Sequence, residues 1–379
     1  MTELPQDSIN STFLTDYFST IKDPRRTNKG NIKHKFTDIL LLALVCVLCR
    51  ITEWEEMVDF GNHELDWFKK HGDYSNGIPS ESTLRRVFLS LDPVSFSSCF
   101  TTWIYALLGD DFQESVAIDG KTIRGAKTKS DASSQSPHIL SAMVSELGIC
   151  LGQLKTDEKS NEITAIPELI NSLSLEGCTV TIDAMGCQKD IVSTIIEAEA
   201  DYVIGVKANQ AGLLQAIKDT AALETCNSSD IKEECGHGRV DKRTAKVYTN
   251  LSHFDKLAKW KNLKTFIVIE KETFNKATQK LSTDKRYYIS SLAINAAQAN
   301  SIVRSHWAVE NKLHWVLDVV FGEDAARKRK GYSAQNMNIV MKMALTLINK
   351  DKTVKKSKNR KRFKALIDRE YREKLLGFK

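Results

Sequence analysis

The chain has little that would tie it to a zinc cluster, a membrane or an export route. Its eight cysteines, at 46, 49, 99, 150, 178, 187, 226 and 235, offer one Cys-x-x-Cys pair, Cys46 and Cys49, with no second pair nearby. Tetrahedral zinc needs four close-set ligands, so a zinc site is excluded and reduced, buried thiols are expected. The longest apolar run, Ile39 to Cys49, is about half of the roughly 20 residues a spanning helix requires, so no membrane partner is expected. The opening MTELPQDSINSTF lacks a basic stretch followed by an apolar core. No secretion signal is expected, and a cytoplasmic location follows. Two nucleotide motifs are also missing. Gly120-Lys121-Thr122 would need a glycine at position 115, which is serine, and Gly236-His237-Gly238 would need one at 241, which is aspartate.

What is present is an ordinary globular composition: 379 residues, 42% hydrophobic and 27% charged, enough for two or three domains. The net charge of +6 is unevenly placed. Residues 350–379 hold 13 Lys or Arg against 4 Asp or Glu, so the preceding part is slightly acidic. This basic C-terminal tail, centred on KKSKNRKRFK (355–364), either binds a polyanion or is a solvated end.

Residues 1–107 read as a helical domain. Lys35–Arg50 is an apolar helix, Trp54–Lys70 has helical spacing, and Ser80 or Ser82 caps a helix carrying Arg85 and Arg86. That short basic helix is either a helix-turn-helix DNA reader or a packing element. Residues 108–349 change pattern. Strands are expected at SVAIDG, at HILSAMV and GICLGQLKT around Glu146-Leu147-Gly148, at TVTIDA and at DYVIGVK. Helices are expected at AIPELINSLSL (165–175) and QKDIVSTIIEAEA (188–200). The β-β-β-α-β-α-β order predicts an α/β fold, a ribonuclease H-like mixed sheet flanked by helices. A β-rich insertion over about 208–300 contains RTAKVYTN, KTFIVIEKETF and KRYYISSL. A helix from about Ser301 to Phe321 follows it, and then another over Ser333–Asn349.

Asp119 and Asp183 each end a strand, one residue past alternating apolar positions, so both project away from Val116/Ile118 and Val180/Ile182. Neighbouring carboxylates repel unless a cation is shared between them. On a helical wheel Glu310 sits amid Val303, Trp307, His314, Leu317 and Phe321. A carboxylate buried there costs several kcal/mol of order unless it is paired or metal-bound. Its partner is either His306 or His314, four residues away on each side, or a cation held with the two aspartates. Three carboxylates from two strand ends and one helix can hold a pair of divalent cations for phosphodiester chemistry. Asp318, Glu323 and Asp324, near the end of the same helix, are expected to be solvated or paired with arginine. Basic groups around the acids point to phosphates: Lys121 and Arg124 beside Asp119, Lys207 at the end of its strand, and His237 with Arg239 in a turn of the insertion.

AIDGKTIRGA (117–126), TIDAMGCQKDI (181–191), ADYVIGVKANQ (200–210), GHGR (236–239), RYYISSL (286–292) and HWAVENKLHWVLDVVFGEDAARKRK (306–330) together resemble a bacterial H-repeat-associated insertion-sequence transposase. That family belongs to the DDE transposases, with a ribonuclease H-like core. The resemblance implies that Asp119, Asp183 and Glu310 are the catalytic, metal-binding triad. It also implies two magnesium ions, with manganese able to substitute, and cleavage of element ends followed by strand transfer. Double-stranded DNA, as element ends and target, and a dimer on DNA are the implied partners, with the protein at the nucleoid. A related group carries Tyr-x2-Arg-x3-Glu-x6-Lys around its glutamate. Val303, His306 and Leu317 occupy those places here, so the roles of that Tyr, Arg and Lys do not carry over. Two rival readings remain: an inactive DNA-binding descendant, and a nuclease that cuts without joining.

Overall fold

Twelve of the thirteen residues of the helix Phe36–Leu48 are buried, because a segment apolar on every side is satisfied only inside a core. The computed structural model describes residues 16–26, 30, 32–109, 112–127, 136–156, 162–236, 238–251 and 260–378. The helical stretch after Trp54 is two helices, Trp54–His63 and Leu65–His71, broken at Glu64. Ser80 precedes the helix Glu81–Ser90 as expected, but its hydroxyl bonds those of Ser82 and Thr83 at 3.1 Å and caps no backbone N–H. The helix Pro93–Leu108 has the stronger start. Asp92 accepts the Ser95 N–H at 2.9 Å, and proline takes the first helical position. Among the described residues no helix is long and apolar enough to cross a membrane.

Nine strands then form one mixed sheet: β1 Ser115–Thr122, β2 His138–Val144, β3 Ile149–Thr156, β4 Thr179–Ile182, β5 Asp201–Val206, β6 Ser228–Gly236, β7 Arg239–Tyr248, β8 Thr265–Asn275 and β9 Lys280–Ser290. Their spatial order is β3-β2-β1-β4-β5-β9-β8-β7-β6. β1 pairs parallel with β4, and β4 with β5; every other pairing is antiparallel. The helices Glu162–Asn171 and Lys189–Glu197 supply the parallel crossovers. The first begins well before the expected position, with Pro167 inside it; the missing proline N–H costs one intrahelical bond that the surrounding packing tolerates.

The stretch expected as an insertion continues the sheet. It opens with a helix, Ala211–Leu223, and only the last residues of β9 pair with β5. Ile204 is opposite Ile289, so the start of β9 at Lys280 lies roughly 30 Å farther along, at about 3.3 Å per residue. The four strands β6 to β9 therefore project as an arm beyond the strand ends that carry the aspartates. β6 escaped sequence reading because it is exposed on both faces along most of its length and shows no apolar alternation.

The basic C-terminal segment is folded, which corrects its reading as a solvated end. After the buried helix Ser333–Lys350 come helices Lys358–Ile367 and Arg369–Leu376. Arg372 is wholly buried and ion-paired to Glu64, which also takes a bidentate pair from Arg369 at 2.9 and 3.0 Å. Arg362 donates to the Val47 carbonyl at 2.7 Å and to the Val320 carbonyl. Six of the eight cysteines are buried thiols as expected; Cys226 is half-buried and Cys235 exposed on β6.

Candidate metal centre

β1 and β4 lie side by side in register, with Ile118 opposite Ile182. Asp119, which lies inside β1 and not at the strand end the sequence suggested, and Asp183, just past the end of β4, therefore sit on neighbouring strands at one level. Alternation puts Asp119 on the sheet face shared with Thr181 and Ser141. His306 reaches that face, its Nδ1 3.0 Å from the Thr181 hydroxyl. Asp183 is exposed and its carboxylate accepts the Met185 N–H at 2.9 Å, capping the short turn Ala184–Gly186. Asp119 is largely shielded. Burial, then the charges of Asp183, Glu310 and Glu162, push its carboxyl up to about 7 against one opposing backbone hydrogen bond from Gly120.

Glu310 reaches the same place by a route the helical wheel did not foresee. The helix Ala296–His306 ends at Trp307, and Glu310–His314 and Val316–Val320 form wide turns with i→i+5 hydrogen bonding. The extra residue in each turn rotates the later side chains away from their 100° positions, and Glu310 is exposed to solvent, not buried on an apolar face. Neither expected histidine pairs with it. His306 is on Thr181, and His314 Nδ1 faces Asp119 Oδ2 at 3.5 Å. Lys312, from the same wide turn, donates to the carbonyls of Ser145 and Glu146 at 2.9 and 2.8 Å, pinning this segment to the β2–β3 turn.

One donor atom each from Asp119, Glu310 and His314 lies within 4.8 Å of the other two. His314 is a member that sequence reading assigned only as a partner for Glu310. Burial, with the nearby positive charges of Lys342, Lys121 and His138, lowers its pKa to about 3, so the ring is neutral. Its Nε2 is buried without a hydrogen-bond partner among the described residues. Behind Asp119, His138 Nε2 donates to Glu162 at 2.5 Å and its Nδ1 meets the Thr122 hydroxyl at 2.8 Å. The donor set fits a divalent cation: clustered carboxylates, one of them raised by burial and by its acidic neighbours, and a neutral imidazole.

The residues expected to touch phosphate are distributed differently. Lys121 is nearly buried and its ammonium is ion-paired to both Asp318 and Glu323, with Asp324 at 4.0 Å. Although burial opposes its charge, Glu323 and Asp318 raise its pKa. Lys121 is thus held by acids of the protein itself, and Asp318 and Glu323 are paired with lysine and not with arginine. Asn338 also donates to Glu323. Gly125 is obligatory in this loop, because a Cβ there would lie 2.5 Å from the Asp324 carbonyl. Arg124 stays exposed, its backbone N–H on Asp324 at 3.0 Å. Lys207 is exposed on the rim of a cleft of about 600 Å³ beside Asp183, whose walls include Lys218, Lys285, Arg286, Tyr287 and Trp307. Arg239 is exposed at the tip of the β6–β7 hairpin, and His237 lies outside the described residues. Arg85 and Arg86 are exposed on their helix, Arg85 paired with Glu81.

The family model described as Transposase DDE domain matches residues 110–347, and one described as DDE_Tnp_1-associated matches residues 15–104. "Putative transposase YncI" of Escherichia coli O157:H7 is 41% identical over 372 residues, 96% of this chain and 94% of the relative. "H repeat-associated putative transposase YhhI" of Escherichia coli (strain K12) is 39% identical over 373 residues, 96% and 97% of the two chains. A solved synaptic complex of piggyBac transposase with hairpin DNA covers 99% of this chain and 84% of that one, at a TM-score of 0.46 and 11% identity; that likeness is too distant to decide the fold. The sequence matches do decide the family: this chain is a member of the DDE transposases, among the bacterial H repeat-associated transposases.

Proposed function

We propose that the chain cuts DNA at the ends of an insertion sequence and joins the freed ends to target DNA, with Asp119, Asp183 and Glu310 as its catalytic carboxylates. The convergence of these acids carries the reading. Two come from adjacent parallel strands in register, and the charges of Asp183 and Glu310 are both felt at Asp119. The order β3-β2-β1-β4-β5, three antiparallel strands followed by parallel strands reached through helices, supports a ribonuclease H-like core within residues 108–349.

Two magnesium ions, or manganese in their place, would supply water activation and stabilisation of the leaving oxygen. Asp119, where the charges of both Asp183 and Glu310 are felt, would serve both ions. Asp183 and Glu310 would each complete one site, and their exposure leaves room for a phosphodiester. No covalent protein–DNA link is required, so no serine or tyrosine nucleophile is assigned. Arg124, Lys207 and Arg239 are exposed where a duplex entering the centre would meet them. Arg85 and Arg86 offer phosphate contacts from the helical domain of residues 1–107. The helices at the C-terminus belong structurally with that domain. Pairing two element ends calls for two copies of the chain, so a dimer on DNA in the bacterial cytoplasm is the working unit.

The test is the purified protein on labelled element-end oligonucleotides with magnesium or manganese, scored for nicking and joining. Asp119→Asn, Asp183→Asn and Glu310→Gln are each expected to lower cleavage by about a thousandfold or more while sparing DNA binding. Ample cleavage by any one of them removes that residue from the centre. Binding by the wild type without cleavage in either metal points to a DNA-binding descendant, and nicking without joining to a nuclease.

A further inference from the structure

We propose that His314 is a direct ligand of one of the two cations, so that the centre pairs a mixed nitrogen–oxygen site with an all-oxygen site. This rests on the carboxylate reading above and deepens it. Asp119, Glu310 and His314 present donor atoms within 4.8 Å of one another, and Asp183 lies outside that group. An octahedral cation with bonds of about 2.1 Å holds cis donors about 3 Å apart and trans donors about 4.2 Å apart. The 3.5 Å between His314 Nδ1 and Asp119 Oδ2 falls in that range.

The ring has no other employment. His314 is 7% exposed, and among the described residues its Nε2 has no hydrogen-bond partner and its Nδ1 faces Asp119 without a formed hydrogen bond. A polar ring this deep and this poorly satisfied costs stability unless it binds something. Glu310 and His314 are the first and last residues of one wide turn, and both donors reach Asp119 on β1. The second cation would then lie between Asp119 and Asp183, served by oxygen alone. An imidazole donor favours manganese and later first-row metals over magnesium, whereas the carboxylate pair suits magnesium. The two positions should therefore differ in metal preference, and His314 is the residue that sets the difference.

The experiment titrates Mn2+ alone into the full-length protein and reads bound manganese by pulsed electron paramagnetic resonance for coupling to nitrogen-14. Wild type should show an imidazole coupling, and His306→Gln and His138→Gln should keep it. His314→Gln should lose the coupling, bind Mn2+ about tenfold or more weakly, and keep the wild-type circular dichroism spectrum. If His314→Gln does not fold, a coupling that survives both other substitutions still assigns His314. Bound manganese with no nitrogen coupling, in a protein that cleaves element ends, overturns the ligand assignment and leaves the carboxylate reading standing. A coupling that persists in His314→Gln also overturns it. No manganese binding and no cleavage by the wild type removes both.

Discussion

The guanidinium of Arg362 donates to the carbonyl of Val320, the last residue of the wide-turn segment that starts at Glu310. It also donates to Val47, at the end of the core helix, and stacks 4.0 Å from the Phe321 ring centre. A residue from the basic end of the chain thus fixes the exit of the Glu310 segment, as Lys312 fixes its middle. Arg362→Met removes donors from the buried Val47 carbonyl and the half-buried Val320 carbonyl and is expected to cost about 3 kcal/mol. The expected result is a lower melting temperature with DNA affinity close to wild type and slower cleavage. A variant with wild-type melting but weaker DNA binding would return Arg362 to the role of a phosphate contact.

Lys121 makes the converse case. Its ammonium joins the Asp119 strand to Asp318 and to Glu323, which is 3% exposed. Lys121→Met leaves two acids facing each other beside Asp324, and breaking a buried pair in this way typically costs about 3–5 kcal/mol. Chemical denaturation should show that loss at neutral pH. The dependence of DNA affinity on salt should be unchanged, because a neutralised lysine releases no counterions from DNA. A shallower salt slope with unchanged stability would restore the phosphate role.

The legible parts of this protein were those whose signal is local. Asp119 and Asp183 could be read because each follows an alternating apolar run, and neighbouring parallel strands in register bring such positions together, although β1 continues past Asp119 to Thr122. Glu310 was singled out as a carboxylate buried on an apolar face, yet it is exposed, and the i→i+5 turns that begin at it leave no mark in an α-helical wheel. The pairing of His314 with Asp119, of Lys121 with Glu323 and of Arg372 with Glu64 all cross long stretches of chain. Charge counts cannot see such partners, so a run of Lys and Arg read as either a polyanion binder or a solvated end, when two of its arginines are core residues. β6 stayed hidden because a strand in an exposed arm has no buried face to impose a pattern.

The raised pKa of Asp119 gives the metal-free protein a pH dependence of defined sign. The folded state holds this proton up to about 7, against an ordinary value of 3.8. Its contribution is therefore fully present below about pH 4 and is lost as pH rises through 7, by at most about 4 kcal/mol. Asp119→Asn imitates the neutral carboxyl, so without metal it should melt higher than wild type at pH 8, by a shrinking margin as pH falls, and nearly equal to it below about pH 4. Magnesium or manganese should raise the wild-type melting temperature at pH 8 and far less at pH 5.5, where protons compete for the same oxygen. Calorimetry at pH 6.5 should detect proton release on metal binding, and equal heats in buffers of different ionisation enthalpy would contradict the assignment.

The cleft beside Asp183 separates free cations from committed ones. Lys285 is paired with Glu270 at 2.8 Å, and Arg286 with Asp284 at 2.7 Å while lying 4.8 Å from the Trp307 ring centre. Lys207 makes no ion pair among the described residues, and Lys218 lies 5.8 Å from the Tyr287 ring centre. If a DNA strand follows this wall from the metal centre, Lys207→Gln and Lys218→Gln should weaken binding by similar factors for all sequences. Each should also lower the slope of log affinity against log salt by about 0.7–0.9, the loss of one phosphate contact. Lys285→Gln should change the slope less, because Glu270 already neutralises that ammonium. Fluorescence anisotropy at several salt concentrations measures all three. Equal slopes in every variant would place the DNA on another face and leave this cleft without a part in binding it.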